Sequence, residues 1–210
     1  GNYAAAEPIS VENPYDLKPG ESFPLLGEDI VIGLGWTTSK PVDVDASVLV
    51  YDGEENVDSV HFNNLVSEDG SITHQGDNQS GISQGDNEKI TLNLAEAGKS
   101  TSSMIVCVAI YDDESSFADV DDAYVRLFDQ ESQRELCRFR IEPHKAGNED
   151  MLESSSQIMC KIYRTAMGWR LIAIGVPDEA TTYEGLIEPA APFASPNWGP
   201  AVQLRPGVPC

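Results

Sequence analysis

The chain has 210 residues, 35 of them acidic and 13 basic, for a formal net charge of −22. That surplus excludes nucleic-acid binding and docking on anionic lipid, both of which need clustered Lys and Arg. With 40 % hydrophobic residues it can build a core. Its length suits one domain with tails, and it holds no apolar run of the roughly 18 residues that a spanning helix requires.

Residues 1–18 are turn-rich, with Pro8 and Pro14, and read as an irregular N-terminal extension. No Met opens the chain, so it is expected to be a processed or shortened product, soluble and either cytoplasmic or organellar. The main domain is predicted over 19–176. Residues 29–36 form a short apolar, β-branched run that suits a buried strand. Asp43-Val-Asp45 leads into a second strand at 46–51, and Asp52-Gly53 supplies a tight turn. Strands follow at 57–65, at 89–94 in strict alternation, and at 103–111, the most apolar stretch and a central strand. Further strands are predicted at 123–128, 135–141, 157–164 and 169–175. Only 148–156 suits a short helix. Many short strands with short turns predict an all-β fold, an antiparallel β-sandwich of two sheets. From Pro177 to Cys210 six further prolines mark a C-terminal extension, predicted to be irregular and kept out of any sheet interior. Its apolar residues, with Trp198 as anchor, predict docking on a protein partner. Cys107, Cys137 and Cys160 lie in apolar runs and read as buried free thiols. A disulfide to Cys210 stays open.

The polar stretch at 76–88, G-D-N-Q-S-G-I-S-Q-G-D-N-E, holds two Gly-Asp-Asn triplets nine residues apart, the second closed by Glu88. Such a stretch suits a polar surface loop. It also concentrates hard oxygen donors on a glycine-rich backbone, which is what Ca²⁺ takes, with about six to eight oxygen ligands in flexible geometry. The EF-hand pattern fails, because Gln79 and Gly81 stand at ligand positions and Ile82 where Gly is needed. In Asp43-Val-Asp45, alternate side chains share a strand face roughly 6.6 Å apart. Two carboxylates at that spacing repel unless a cation lies between them. Asn63-Asn64 at a strand end could add neutral amide oxygens. Asp112-Asp113-Glu114 reads as a solvated hairpin tip. His61, His74 and His144 show no metal-ligand spacing, and His61 is expected on a polar side. There is no nucleophile elbow, phosphate loop or dinucleotide fingerprint.

Ile32-Gly-Leu-Gly-Trp36, Asp43-Val-Asp-Ala-Ser47, Phe62-Asn-Asn-Leu65, His74-Gln-Gly-Asp-Asn78 and Gly85-Asp-Asn-Glu88 occur in this order. Ala109-Ile-Tyr-Asp112, Ala123-Tyr-Val-Arg126, Lys161-Ile-Tyr-Arg164 and Gly168-Trp-Arg170 continue it. Together they resemble the tellurium-resistance TerD family over residues 16–176. The resemblance implies a two-sheet β-sandwich that binds Ca²⁺ through acidic loops, and an association with stress responses. The matching positions are Asp43, Asp45, Asn63, Asn64, Asp77, Asn78, Asp86, Asn87 and Glu88. The segment 113–119 departs from the family pattern, being shorter and lacking Arg and Gln. Two adjacent Ca²⁺ ions are expected. Asp43, Asp45, Asn63, Asn64 and Asp77 would hold one, and Asp86, Asn87, Glu88 and loop carbonyls the other. The resulting expectation is a non-enzymatic Ca²⁺-binding interaction or sensor module. The alternative is an accessory subunit of a larger assembly, with structural Ca²⁺ and both tails wrapped on partners. A tail folded back on its own sandwich would favour the free module.

Overall fold

A computed structural model of the chain describes residues 16–76, 85–199 and, for the backbone, 203–204. In chain order the strands are β1 (Glu21–Pro24), β2 (Asp29–Thr37), β3 (Val44–Asp52), β4 (Glu55–Val60), β5 (Ile72–His74), β6 (Glu88–Asn93), β7 (Ser103–Ile110), β8 (Asp122–Asp129), β9 (Glu135–Ile141), β10 (Ser156–Thr165), β11 (Gly168–Asp178) and β12 (Gln203–Leu204). Helix α1 (Glu149–Glu153) precedes β10, and α2 (Tyr183–Ala194) follows β11. One sheet has the order β12-β1-β11-β10-β7-β3-β4, the other β5-β6-β2-β8-β9. All pairings between these described strands are antiparallel except that of β1 with β12. The expected two-sheet sandwich is therefore what the chain forms.

The core lies between the sheets. Ile30, Ile32, Leu34 and Trp36 of β2 face it, as do Val44, Ala46, Val48 and Val50 of β3. In both strands every second residue points inward. The Trp36 indole N–H finds the Val42 carbonyl at 3.1 Å, so the largest core ring leaves no polar atom unmatched. A bulge between Ile158 and Cys160 breaks the alternation of β10 and turns both Met159 and Cys160 inward. Cys107, Cys137 and Cys160 are buried free thiols, as expected, and burial raises the pKa of each.

The tail differs from its expected irregular course. β11 continues through Pro177 to Asp178. Its other neighbour, β1, pairs only as far as Ile172, so Pro177 lies where that side of the ladder is already open. Residues 183–194 then form α2 despite Pro189 and Pro192 in its interior. Interior proline costs a helix about 3 kcal/mol or more, so packing must hold this one. Leu186, Ala190 and Ala194, four residues apart, share one face. They pack on Leu49, Tyr51, Ile105, Cys107, Ala109, Ile158 and Ile174, on the outer face of the seven-stranded sheet. The Thr182 hydroxyl accepts from the Gly185 N–H at 3.3 Å and starts the helix. The Tyr51 hydroxyl donates to the Ile187 carbonyl at 2.7 Å. With α2 outside and the core inside, β7 is buried along its whole length, which accounts for its unbroken apolar run.

Lys161 lies beneath the end of α2. It is 2 % exposed, donates to the Ser195 carbonyl at 2.8 Å, and stands over the Tyr163 and Trp198 rings. Burial pushes its amine down to about 8, from 10.5 for a free lysine. Between those values the unfolded chain holds a proton that the folded chain has released, so this group makes stability rise with pH across that window. The unaltered chain is expected to gain on a Lys161→Met variant between about pH 8 and 10.5, read as the difference in melting temperature. A flat difference would show the amine to be solvated in the folded state.

Candidate functional site

The Asp43-Val-Asp45 segment opens β3 at the open edge of the seven-stranded sheet. Asp45 pairs with Ala109 of β7 on one side, but β4 joins the other side only at Val48. The Ala46 N–H therefore lacks a strand partner and donates to Glu88 Oε2 at 2.9 Å. Glu88 is the first residue of β6 in the opposite sheet, and its side chain is fully buried. This bond carries a carboxylate across the sandwich to the residue beside Asp45, itself buried. Two segments 42 positions apart thus meet at one edge.

Two histidines line the same edge. His74 Nε2 lies 3.6 Å from Glu88 Oε2, with both side chains buried. Its Nδ1 accepts from the Gly76 N–H at 3.2 Å, which in the neutral ring puts the proton on Nε2, facing Glu88. His61 is buried rather than on a polar side. Its ring stacks on Tyr183 at 3.7 Å and its Nδ1 accepts from the Asn63 N–H at 3.3 Å. Burial lowers its pKa, against the opposing charge of Glu184. Asp45, Ser47, His61, Tyr111 and Tyr183 line a narrow cleft over β3. Burial, with Glu184 and Asp45 close by, raises the Tyr111 phenol. The helix α2 thus closes one side of the candidate site.

The other expected ligands are divided. Asn63 and Asn64 are exposed in a tight turn, held by reciprocal His61–Asn64 backbone bonds of 3.1 and 3.0 Å. The Asn64 amide nitrogen donates to the Ser59 carbonyl at 2.7 Å. The strand expected at 57–65 accordingly stops at Val60. Asn87 completes the end of β2: its Oδ1 accepts from the Trp36 N–H at 3.1 Å, and its N–H donates to the Leu34 carbonyl at 2.7 Å. Asp86 lies on the outer face of the five-stranded sheet. Arg126 Nε donates to its Oδ1 at 2.8 Å and the Arg126 fork reaches its Oδ2 at 2.7 Å. The Tyr124 hydroxyl adds a third bond at 3.1 Å. Asp77 and Asn78 lie outside the described residues. Asp112 caps its own turn, accepting from the Glu114 N–H and the Ser115 hydroxyl, but the segment crosses from β7 to β8 in the other sheet rather than closing the expected hairpin.

Among the described residues no three His, Cys, Asp or Glu side chains converge as a metal-binding group. The donors at the β3 edge are nevertheless hard oxygens, those of Asp43, Asp45 and Glu88, with no cysteine among them, which suits Ca²⁺ rather than a soft metal. Of the residues at this edge, the sequence reading missed the part played by His61, His74 and Tyr183. The only available signal for the histidines was position, each at the end of a short strand beside an expected ligand.

Comparison with known proteins places this geometry in context. A TerD domain family model matches residues 15–187. The chain is 34 % identical over 157 residues to protein YceE of Bacillus subtilis (strain 168), covering 69 % of this chain and 79 % of that one. It is 31 % identical to the tellurium resistance protein TerD of Serratia marcescens, covering 70 % and 80 %. It is 30 % identical to general stress protein 16U of Bacillus subtilis, covering 70 % and 79 %. The crystal structure of a homologue of the telluride resistance protein from Streptomyces coelicolor A3(2) superposes with a TM-score of 0.64 at 22 % identity. It covers 78 % of this chain and 97 % of that one.

Proposed function

The chain belongs to the TerD domain family, and from that premise we propose that it is a non-enzymatic Ca²⁺-binding module of a stress response. Relatives named for tellurium resistance and general stress support the stress association. The observation that carries the calcium reading is the Glu88–Ala46 bond of 2.9 Å. It joins the second Gly-Asp-Asn segment to the Asp43-Val-Asp45 edge, bringing the buried Glu88 carboxylate of one sheet to the backbone beside Asp45 of the other. Asp43, Asp45 and Glu88 supply anionic oxygens, Asn63 and Asn64 stand in the adjoining turn, and Asp77 and Asn78 are proposed to complete the set. The bound ion would supply positive charge at an edge of a strongly acidic chain. His74 lies beside Glu88, and Tyr183 of α2 lines the cleft. The described part of the tail packs on its own sandwich, the arrangement that favours a free module over a subunit wrapped on neighbours. No described helix is long and apolar enough to cross a membrane.

Calorimetric titration with Ca²⁺ tests this reading. The unaltered chain is expected to take up the ion, and Glu88→Gln to bind at least about tenfold more weakly, a loss of about 1.4 kcal/mol. No heat from the unaltered chain, with no ion by elemental analysis, would end the calcium reading.

A further inference from the structure

On a regular strand, residues i and i+2 point to the same face. Asp86 and Glu88 break that rule. Glu88 points inward between the sheets, in line with Ile90 and Leu92. Asp86 lies on the outer face, flat against Gly33, where any Cβ would come within 2.6 Å of its carboxylate. Gly35, two positions on, clears the floor for Tyr124 in the same way, at 2.5 Å. These two glycines of Gly33-Leu-Gly35 thus make a side-chain-free platform on β2. The chain must turn over within a single residue, Asn87, to pass from the platform to the interior. Such a turn needs anchors at both ends. Asn87 is fixed to β2 by its own two bonds. Asp86 is fixed by the Arg126 fork, a bidentate charge-assisted pair that sets direction as well as distance. Arg126 is in turn steadied by Glu135 at 3.3 Å and by the Phe128 ring, 4.5 Å from its guanidinium carbon.

We infer that Arg126 is a positioning residue for the cation site: it pins Asp86 on the glycine platform of β2 and thereby turns Glu88 inward to the Asp45 edge. This inference rests on the calcium reading above. It assigns Asp86 the part of an anchor in place of its expected part as a ligand. It also explains why an acidic chain keeps an arginine beside its acidic loop.

The sign of one measurement separates the two parts. If Arg126 were merely a nearby positive charge, or Asp86 a ligand that it masks, removing that charge would strengthen Ca²⁺ binding. If Arg126 positions the loop, removing it weakens binding. In calorimetric Ca²⁺ titrations of the full chain, Arg126→Gln is expected to bind at least about tenfold more weakly, and Arg126→Lys to recover part of the loss. Arg138→Gln, which breaks the pair with Glu135 at 2.8 Å and leaves Asp86 held, is expected to stay within about twofold. Asp86→Asn combined with Arg126→Gln is expected to lose no more than either alone, since the two residues act as one unit. Hydrogen exchange at the Asn87 amide is expected to quicken in metal-free Arg126→Gln. Equal or tighter binding by Arg126→Gln overturns the inference, as do additive losses in the double variant. Should Arg126→Gln not fold, Arg126→Lys decides, and unchanged affinity there overturns it. If the unaltered chain itself takes up no Ca²⁺, the calcium reading has failed and this inference falls with it, an outcome distinct from failure in the variants alone.

Discussion

Adding Ca²⁺ to the metal-free chain is expected to raise its melting temperature by about 5–10 °C. A ligand that binds only the folded state stabilises it by mass action, by about 2.7 kcal/mol at a hundredfold excess over Kd. A chain of this size shifts by roughly 2–4 °C per kcal/mol. The proposed ligands come from both sheets, with Asp43 and Asp45 at the start of β3 and Glu88 at the start of β6. They are together only in the folded state, so the unfolded chain offers little competing affinity. The net charge of −22 adds to the effect, because self-repulsion in the compact state is relieved by a bound divalent cation. The gain should fall as pH drops through the carboxylate range, since the ligands must be ionised to bind. Melting curves with excess Ca²⁺ and with chelator, at neutral pH and near pH 4, test this. Superimposable curves at neutral pH would remove the basis for a calcium site.

Much of the sandwich was legible in the sequence, for identifiable reasons. β7 is an unbroken apolar run and β6 alternates strictly, and each pattern has one strand reading. β1 and β5 escaped because they are four and three residues long, too short for any period to show. β1 is recognisable only from its pairing with β11, and β5 only from its pairing with β6. The helix α2 escaped because proline content argued against it, and the burial of Leu186, Ala190 and Ala194 overrode that propensity. The four-residue spacing of those side chains after Thr182 was the available signal, hidden by Pro189 and Pro192. At the candidate site Asp45 and Glu88 were expected at two adjacent ions rather than at one, and the Glu88–Ala46 bond that links their segments could not be read. The separation of Asp86 from Glu88 could not be read at all. Strand alternation predicts one face for both, and the turn at Asn87 depends on Arg126, which lies 40 positions away from Asp86. Long-range charge pairs of that kind leave no local pattern.

Leu186→Ala is expected to destabilise the fold by about 2–5 kcal/mol, a large effect for a residue in a segment whose composition suggested a loose tail. Leu186 is fully buried in the second apolar cluster, between α2 and the outer face of the seven-stranded sheet. Removing its side chain leaves a void that the flanking prolines, with fixed backbone, cannot easily collapse. At roughly 2–4 °C per kcal/mol the melting temperature should fall by at least about 4 °C. Met167→Ala is the matched control, since Met167 is 99 % exposed at a hairpin tip and should change stability by less than about 0.5 kcal/mol. Deleting residues 180–210 goes further. It bares Leu49, Tyr51, Ile105, Cys107, Ala109, Ile158 and Ile174 together, and strips Lys161 and Tyr51 of the carbonyls they bond. An apolar face of that extent on a monomer favours association. The deleted chain should therefore melt below the Leu186→Ala variant, bind a hydrophobic dye, and elute early in size-exclusion chromatography. If it stays monomeric and melts with the unaltered chain, α2 is a passenger on the sheet and its cost in interior prolines has some other compensation. If it loses stability as expected, the C-terminal segment is the outer layer of this sandwich, and any partner must meet the surface that α2 presents rather than the groove it fills.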